Sequence, residues 1–261
     1  MRSFSIKLFL LLFTIMAIHS CKKDDSPVEE MIDPLAENRK ALGESAEEIL
    51  SDDIYNSLTI ELAYSEDYKP TQETIDNFRA FLMARVTKPQ GIIFVETVVP
   101  EQPNDPFTIE EIREIEDRIR TKYTEGDNIA VYVFFSNGSS TNDTQTTVTL
   151  GSAYRNTSIV IYERTIKVIT ESDPIILPLL ETTTLNHEFG HILSLTNILG
   201  DDIHQMHEDQ AHLKHCFVEE CLMYFDAVNV TRARLERLIR RMEVPEFDPL
   251  CIADLQAKGG L

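Results

Sequence analysis

Seven apolar residues in succession, Ile129-Ala130-Val131-Tyr132-Val133-Phe134-Phe135, lie between the polar Asp127-Asn128 and Ser136-Asn137-Gly138. A run this short cannot cross a bilayer. Its β-branched and aromatic residues fill odd and even positions alike, which marks a central strand covered on both faces. The rest of the chain supplies the layers. Leu58–Tyr64 alternates as a strand, and Gly91–Val99 reads as a second buried one. Thr71–Val86 has helical periodicity, with Thr71 as N-cap and Ile75, Phe78, Phe81 and Leu82 inward. Thr108–Lys122 opens with capping-box spacing, Thr108 to Glu111, and carries Ile109, Ile112, Ile115 and Ile119 on one stripe. After a polar loop at 136–146, residues 147–162 return as one or two extended segments. A third helix is expected over Glu181–Asn197 and a last one over Asn229–Met242, with Leu235, Leu238 and Ile239 inward. The expected class is α+β, a mixed twisted sheet with two packed helices, followed by a smaller C-terminal part. At 261 residues and 43% apolar the chain can build such a core.

The N-terminus is of a different kind. Arg2 and Lys7 precede an apolar stretch, Leu8–Ile18, broken only by Thr14, and Ser20 stands directly before Cys21. This is an export signal, too short for a retained span. Its end, Ile18-His19-Ser20-Cys21, resembles a bacterial lipobox, which implies cleavage before Cys21 and lipid attachment to its thiol. The division expected is a signal peptide at 1–20, an acylated Cys and flexible tether at 21–40, and a catalytic domain at 41–261. Several acyl chains would hold the protein on a membrane, and Lys22-Lys23-Asp24-Asp25 resembles the charged segment of surface lipoproteins. The expected address is the cell envelope, at the outer membrane. Losing residues 1–20 removes Arg2 and Lys7 and no acid, so a formal charge of −20 becomes −22. Such a charge excludes a broad grip on nucleic acid. Four cysteines are too few for a disulfide scaffold.

The chemistry lies between His187 and Met223. His187-Glu188-Phe189-Gly190-His191 puts two imidazoles one helical turn apart on one face, close enough to bind a single metal ion. Glu188 projects beside that face, where a carboxylate can act as general base without ligating the metal. Apolar neighbours, Ile192, Leu193 and Leu195, suggest a buried helix, in which unpaired imidazoles would be costly without a metal or hydrogen-bond partners.

Downstream stands His215-Cys216-Phe217-Val218-Glu219-Glu220-Cys221-Leu222-Met223. The zinc helix and this tail resemble the metzincin metallopeptidases, and C-x4-C-x-M directly after a His resembles their archaemetzincin branch. Leu150–Ser158 and Cys221–Phe225 are similar to a bacterial lipid-anchored group of such proteases. The resemblance covers roughly 58–255. It implies a zincin-like fold, a catalytic Zn²⁺ and a Met-turn with Met223 beneath the histidine rings. It also implies a polypeptide substrate added as a strand to a sheet edge, here assigned to Thr147–Tyr154. Two positions depart from the pattern: Ser194 replaces Gly, and Asn197 replaces the third His. Ser194 lacks glycine's freedom, so the helix is expected to run to about Ile198 with Gly200 as its cap. The third ligand must then come from His204, His207, His212 or His215. His215 is preferred because it alone directly precedes the matching tail, with His207 next. Tyr224 is one residue too early to match the Tyr some metzincins carry after the Met.

In archaemetzincins the paired Cys and a later C-x-x-C hold a second, structural zinc. Only Cys251 remains downstream here, so His207 or His212 would have to substitute, and in an oxidising compartment a disulfide joining Cys216 to Cys221 or Cys251 is the expectation. The function expected is a zinc-dependent endopeptidase, monomeric and lipid-anchored, with metal on His187, His191 and His215 and Glu188 as base. The alternatives are a catalytically inactive zincin-fold lipoprotein serving as a binding or assembly module, and a structural lipoprotein whose His and Asp cluster merely buffers metal.

Overall fold

The computed structural model describes residues 33, 35–225, 229–231, 236 and 239–261. The leader, Cys21 and the first part of the tether lie outside the described residues. Strand β1 (Ser57–Tyr64) pairs in parallel with β2 (Ile92–Val98) on one side and β3 (Asn128–Phe135) on the other. Beyond β3 come β6 (Ser158–Ile161), also parallel, and β5 (Gly151–Arg155), which is antiparallel and forms the far edge. The sheet order is β2-β1-β3-β6-β5.

The alternation of β3 sorts the core into two layers. Ile129, Val131, Val133 and Phe135 pack with Phe78 and Leu82 of α2 (Gln72–Met83) and with Leu185 and Phe189 of α5 (Ile176–Ile192). Tyr132 and Phe134 face the other way, onto Ile112 and Ile115 of α3 (Ile109–Ile119). A seven-residue apolar run is therefore required, since neither face meets water. The caps are as expected: Thr71 accepts from Thr74 N, and Thr108 and Glu111 complete a capping box.

Several expectations are corrected. The strand over 91–99 is an edge, not a buried strand: β2 leaves Ile93 and Val98 more than half exposed. The polar stretch expected to be tether is folded from Leu35 onward. Asn38 is buried, donating through Nδ2 to Ala130 O at 2.9 Å and to the Thr124 and Thr157 hydroxyls at 3.0 Å, and accepting from Thr124 N at 2.8 Å. A single amide thus ties the segment to the end of β3, which polarity alone could not reveal. Of the helix expected over 229–242, residues 236 and 239–241 are helical, whereas Asn229–Val230 pair as β7 with β4 (Val148–Thr149). Leu235 and Leu238 lie outside the described residues. Among the described residues three α-helices were not foreseen: α1 (Ala46–Leu50), α4 (Glu163–Ile169) and the C-terminal helix Pro249–Ala257.

Helix α4 meets α5 through two buried acids, Glu163 and Glu181. Glu181 accepts from Thr71 N and Oγ1 at 3.0 and 2.7 Å. Neither oxygen of Glu163 has a hydrogen-bond partner, and its closest cation, Lys167 Nζ, is 3.7 Å away. Burial, with Glu181 beside it, pushes the Glu163 carboxyl well above the usual range. The folded state therefore holds a proton that the unfolded chain releases above about pH 4.3, so stability falls as pH rises from there toward the raised folded value. Glu163→Gln should remove that loss. Urea midpoints measured from pH 4.5 to 8 should show the variant gaining on wild type as pH rises, and parallel curves would refute this assignment.

Candidate functional site

Helix α5 is buried almost all round; from Leu177 to Ile192 only Leu179 is not buried. One side packs on the sheet and the other on the segment around Met223. Gly190 makes that second contact tight, because a Cβ there would lie 2.3 Å from Met223 Sδ. Leu222 adds a polar clamp, its carbonyl 2.7 Å from His187 Nδ1. The segment expected to floor the histidines is thus pressed on the helix between them.

After Ile192 the chain leaves the helix at once. The expected continuation to Ile198 does not occur: Ser194 adopts φ +59°, and Thr196 and Asn197 follow in the same left-handed region. Ser194 is kept there by its N–H on His191 O at 3.1 Å and its hydroxyl on Asp201 at 3.2 Å. A left-handed conformation costs a non-glycine residue roughly 1–2 kcal/mol, and these bonds offset it. Asn197 also acts locally, donating to Gln205 O at 3.0 Å.

The 23-residue loop from Ile192 to Lys214 returns His215 to the helix. The His187, His191 and His215 ring centroids stand 4.8, 5.1 and 5.3 Å apart. Each ring offers a nitrogen within 4.8 Å of the others. The other three candidates are held elsewhere. His204 Nδ1 meets Asp254 at 3.0 Å, His212 Nδ1 meets Asp209 at 2.7 Å while its ring stacks on Phe225, and His207 is turned into a thiol cluster.

The electrostatics are those of a metal-ready site. Burial lowers His187 to about 3 and His191 well below its ordinary value, so both rings are neutral. His187 Nε2 is buried without a hydrogen-bond partner while its Nδ1 is held by Leu222 O, a cost of roughly 1–3 kcal/mol that a cation bound at Nε2 would remove. His215 is also lowered by burial, and Leu213 O steadies its Nδ1 at 3.0 Å. These donors fit zinc: three neutral imidazoles on one point, with a cleft beside them. Glu188 lines that cleft, its Oε2 accepting from Ala153 N of β5 at 2.7 Å. Burial pushes its carboxyl up to about 8, against the Ala153 N–H. The cleft has a volume of about 460 Å³ and is lined by Gly151, Ser152 and Ala153, so among the described residues the sheet edge beside the histidines is β5, the latter part of the expected Thr147–Tyr154. Val148–Thr149 is occupied by β7.

A second cluster lies directly after His215. The expected disulfide is not formed, and Cys216, Cys221 and Cys251 are free thiols. Cys221 Sγ is 3.7 Å from Cys251 Sγ, and His207 Nδ1 is 3.8 Å from both Cys216 Sγ and Cys251 Sγ. Zinc–sulfur bonds of about 2.3 Å in tetrahedral geometry give sulfur–sulfur edges of about 3.8 Å, so the spacing suits a shared metal rather than a disulfide. Behind His207, Asp254 Oδ2 stands 3.0 Å from Nε2, the carboxylate support usual for a ligating imidazole. Cys221 is drawn down to about 5 by hydrogen bonds from Cys216 and Cys251, which favours the thiolate a metal needs. Asp248 accepts from Cys216 Sγ at 2.8 Å and caps the C-terminal helix through Leu250 N and Cys251 N at 2.6 and 3.1 Å, fixing Cys251 in its first turn.

Solved structures similar to this chain include an archaemetzincin and a zinc-dependent peptidase. Archaemetzincin from Methanopyrus kandleri aligns over 78% of this chain and 96% of its own, at 16% identity and a TM-score of 0.48. A zinc-dependent peptidase from Methanocorpusculum labreanum aligns over 75% and 99%, at 14% identity and a TM-score of 0.44. No family model and no curated protein matches the chain.

Sequence reasoning missed Asp248, Asp254, Gly151 and Leu42. The first two had a signal, because Asp248-Pro249 before Leu250, Cys251 and Leu255 reads as an N-cap and first-turn proline. Gly151 and Leu42 had none, since their roles are contacts across the fold. The tight approach of Met223 is testable. Gly190→Ala should cost about 1–3 kcal/mol through overpacking and weaken zinc binding, read by urea unfolding and by competition with a chromophoric chelator. Unchanged values in both would mean Met223 does not press on the helix.

Proposed function

We propose that this chain is a zinc-dependent endopeptidase of the cell envelope, anchored by lipid on Cys21. The observation that carries the catalytic reading is the convergence of His187, His191 and His215, each offering a nitrogen within 4.8 Å of the others, beside a carboxyl group that lines a cleft. His187, His191 and His215 would hold the metal. Zinc, when bound, supplies Lewis acidity toward a peptide carbonyl and acidifies water at its open position.

The chain's own groups do the rest. Glu188 takes the proton of the attacking water and returns it to the departing amine. Ala153 N–H holds one carboxylate oxygen at 2.7 Å, so the same edge strand that would receive an extended substrate also orients the base. Gly151 permits this, since a Cβ there would lie 2.8 Å from Glu188 Cγ. Ser194 and Asn197, the two departures from the metzincin pattern, engage Asp201 and Gln205 within the loop. Cys216, Cys221, Cys251 and His207 would hold a second, structural zinc, and the sequence adjacency of His215 and Cys216 links it to the first.

Purified protein should contain two zinc ions per chain by mass spectrometry of the metal. His215→Ala should lose one and Cys251→Ser the other. Glu188→Gln should retain both while casein cleavage falls at least about 100-fold. Full zinc with no cleavage of any peptide by wild type would leave a binding protein, and absence of zinc would remove the centre altogether.

The anchor is tested separately in a bacterial host. Cys21→Ser should abolish fatty-acid labelling and move the protein from the membrane to the soluble fraction. Retention on the membrane would refute lipid attachment at Cys21.

A further inference from the structure

The cleft beside the histidines is chemically lopsided. Asn142, Thr144, Thr147 and Thr149 line one part of it with short polar groups, whereas Leu42, Ile198 and Leu213 line another with apolar ones. Glu188 and Lys214 are the only carboxylate and ammonium among the lining residues. Lys214 Nζ is already engaged by the Asn197 carbonyl. Although the chain carries 44 acids, almost none reaches the cleft, so charge does not select what enters.

The apolar part is built from three separate segments that are locked together. Gly43 has φ +87°, and a Cβ on it would meet Ile198 Cγ2 at 2.9 Å and Ser194 Oγ at 3.0 Å. The segment bearing Leu42 is therefore seated directly on the turn that ends α5. Thr196 Oγ1 bonds the Lys214 carbonyl, which draws Leu213 to the same turn. The Leu213 carbonyl in turn holds His215 Nδ1 at 3.0 Å. Leu213 is nonetheless 60% exposed. A large apolar side chain held open to water beside a metal-ready centre gains free energy only when something apolar covers it.

We propose that Leu42, Ile198 and Leu213 form a subsite that takes one large apolar side chain of an extended polypeptide. The enzyme would thus be selective for sequences carrying a Leu- or Phe-sized residue near the scissile bond. The inference rests on the peptidase reading for the identity of its ligand. It gives the segment just after the tether a part in recognition, through Leu42.

The test uses full-length, zinc-loaded Glu188→Gln and fluorescent blocked pentapeptides that differ only at the central residue, Leu, Phe, Ala or Asp. Anisotropy titration should show Leu and Phe peptides binding at least about tenfold more tightly than Ala or Asp peptides, the scale of discrimination an apolar pocket provides. Adding Leu42→Ala or Leu213→Ala should cut the Leu-to-Ala ratio at least threefold, while Ile93→Ala, an apolar truncation on β2 away from the cleft, should not. Leu213 is exposed, so its variant is informative even if Leu42→Ala fails to fold. A flat peptide series, or a ratio untouched by Leu213→Ala, overturns the subsite. If the ratio and its loss are found but wild type cleaves no peptide, the subsite stands and the peptidase reading falls. Cleavage with a flat binding series means the reverse.

Discussion

A helix with no wet face dictates the architecture. Because α5 carries His187, Glu188 and His191 and is still buried on nearly every side, it needs a sheet on one flank and a second apolar wall on the other. The sheet flank explains the double-sided β3. The other flank explains why the segment around Met223 presses onto Gly190, where a Cβ would lie 2.3 Å from Met223 Sδ. Burial also sets the chemistry of the face: it keeps the imidazoles neutral and leaves His187 Nε2 without a partner. That costly atom is one a metal held there would relieve.

The loop between His191 and His215 solves a problem of direction. A chain leaving α5 must reverse to bring another imidazole back, and here three left-handed residues, Ser194, Thr196 and Asn197, make the reversal. The loop is then held by side chains: Asn197 on Gln205, Asp254 on His204 and His207, and Lys214 on the Asn197 carbonyl. His207 and Cys216 pin it a second time at the thiol cluster. Rigidity in a long loop is what allows a distant ligand to be presented within the tolerance a metal site demands.

Periodic segments were legible because their pattern is local. β1, α2, α3 and β3 follow from alternation, capping residues and apolar stripes that each occupy 8 to 12 positions. Errors cluster where a neighbour decides. Gly91–Val99 is apolar enough for a buried strand, yet among the described residues β2 is the edge of the sheet. The stretch up to Asn38 is polar enough for a tether, yet one buried amide secures its end. Ser194 was expected to continue the helix on intrinsic preference, and tertiary hydrogen bonds overrode it.

The sequence by itself determined the spacing that places two imidazoles and a carboxylate on one helical turn, and the apolar run that demands a layered sheet. Both are properties of neighbours along the chain, set by the 3.6-residue and two-residue periods of the backbone. Only the tertiary structure decided which of four downstream histidines faces that pair, that three cysteines and His207 converge rather than forming a disulfide, and that Leu42 reaches the cleft. A 23-residue connection is long enough for many arrangements, and reach along a chain carries no direction until packing supplies one.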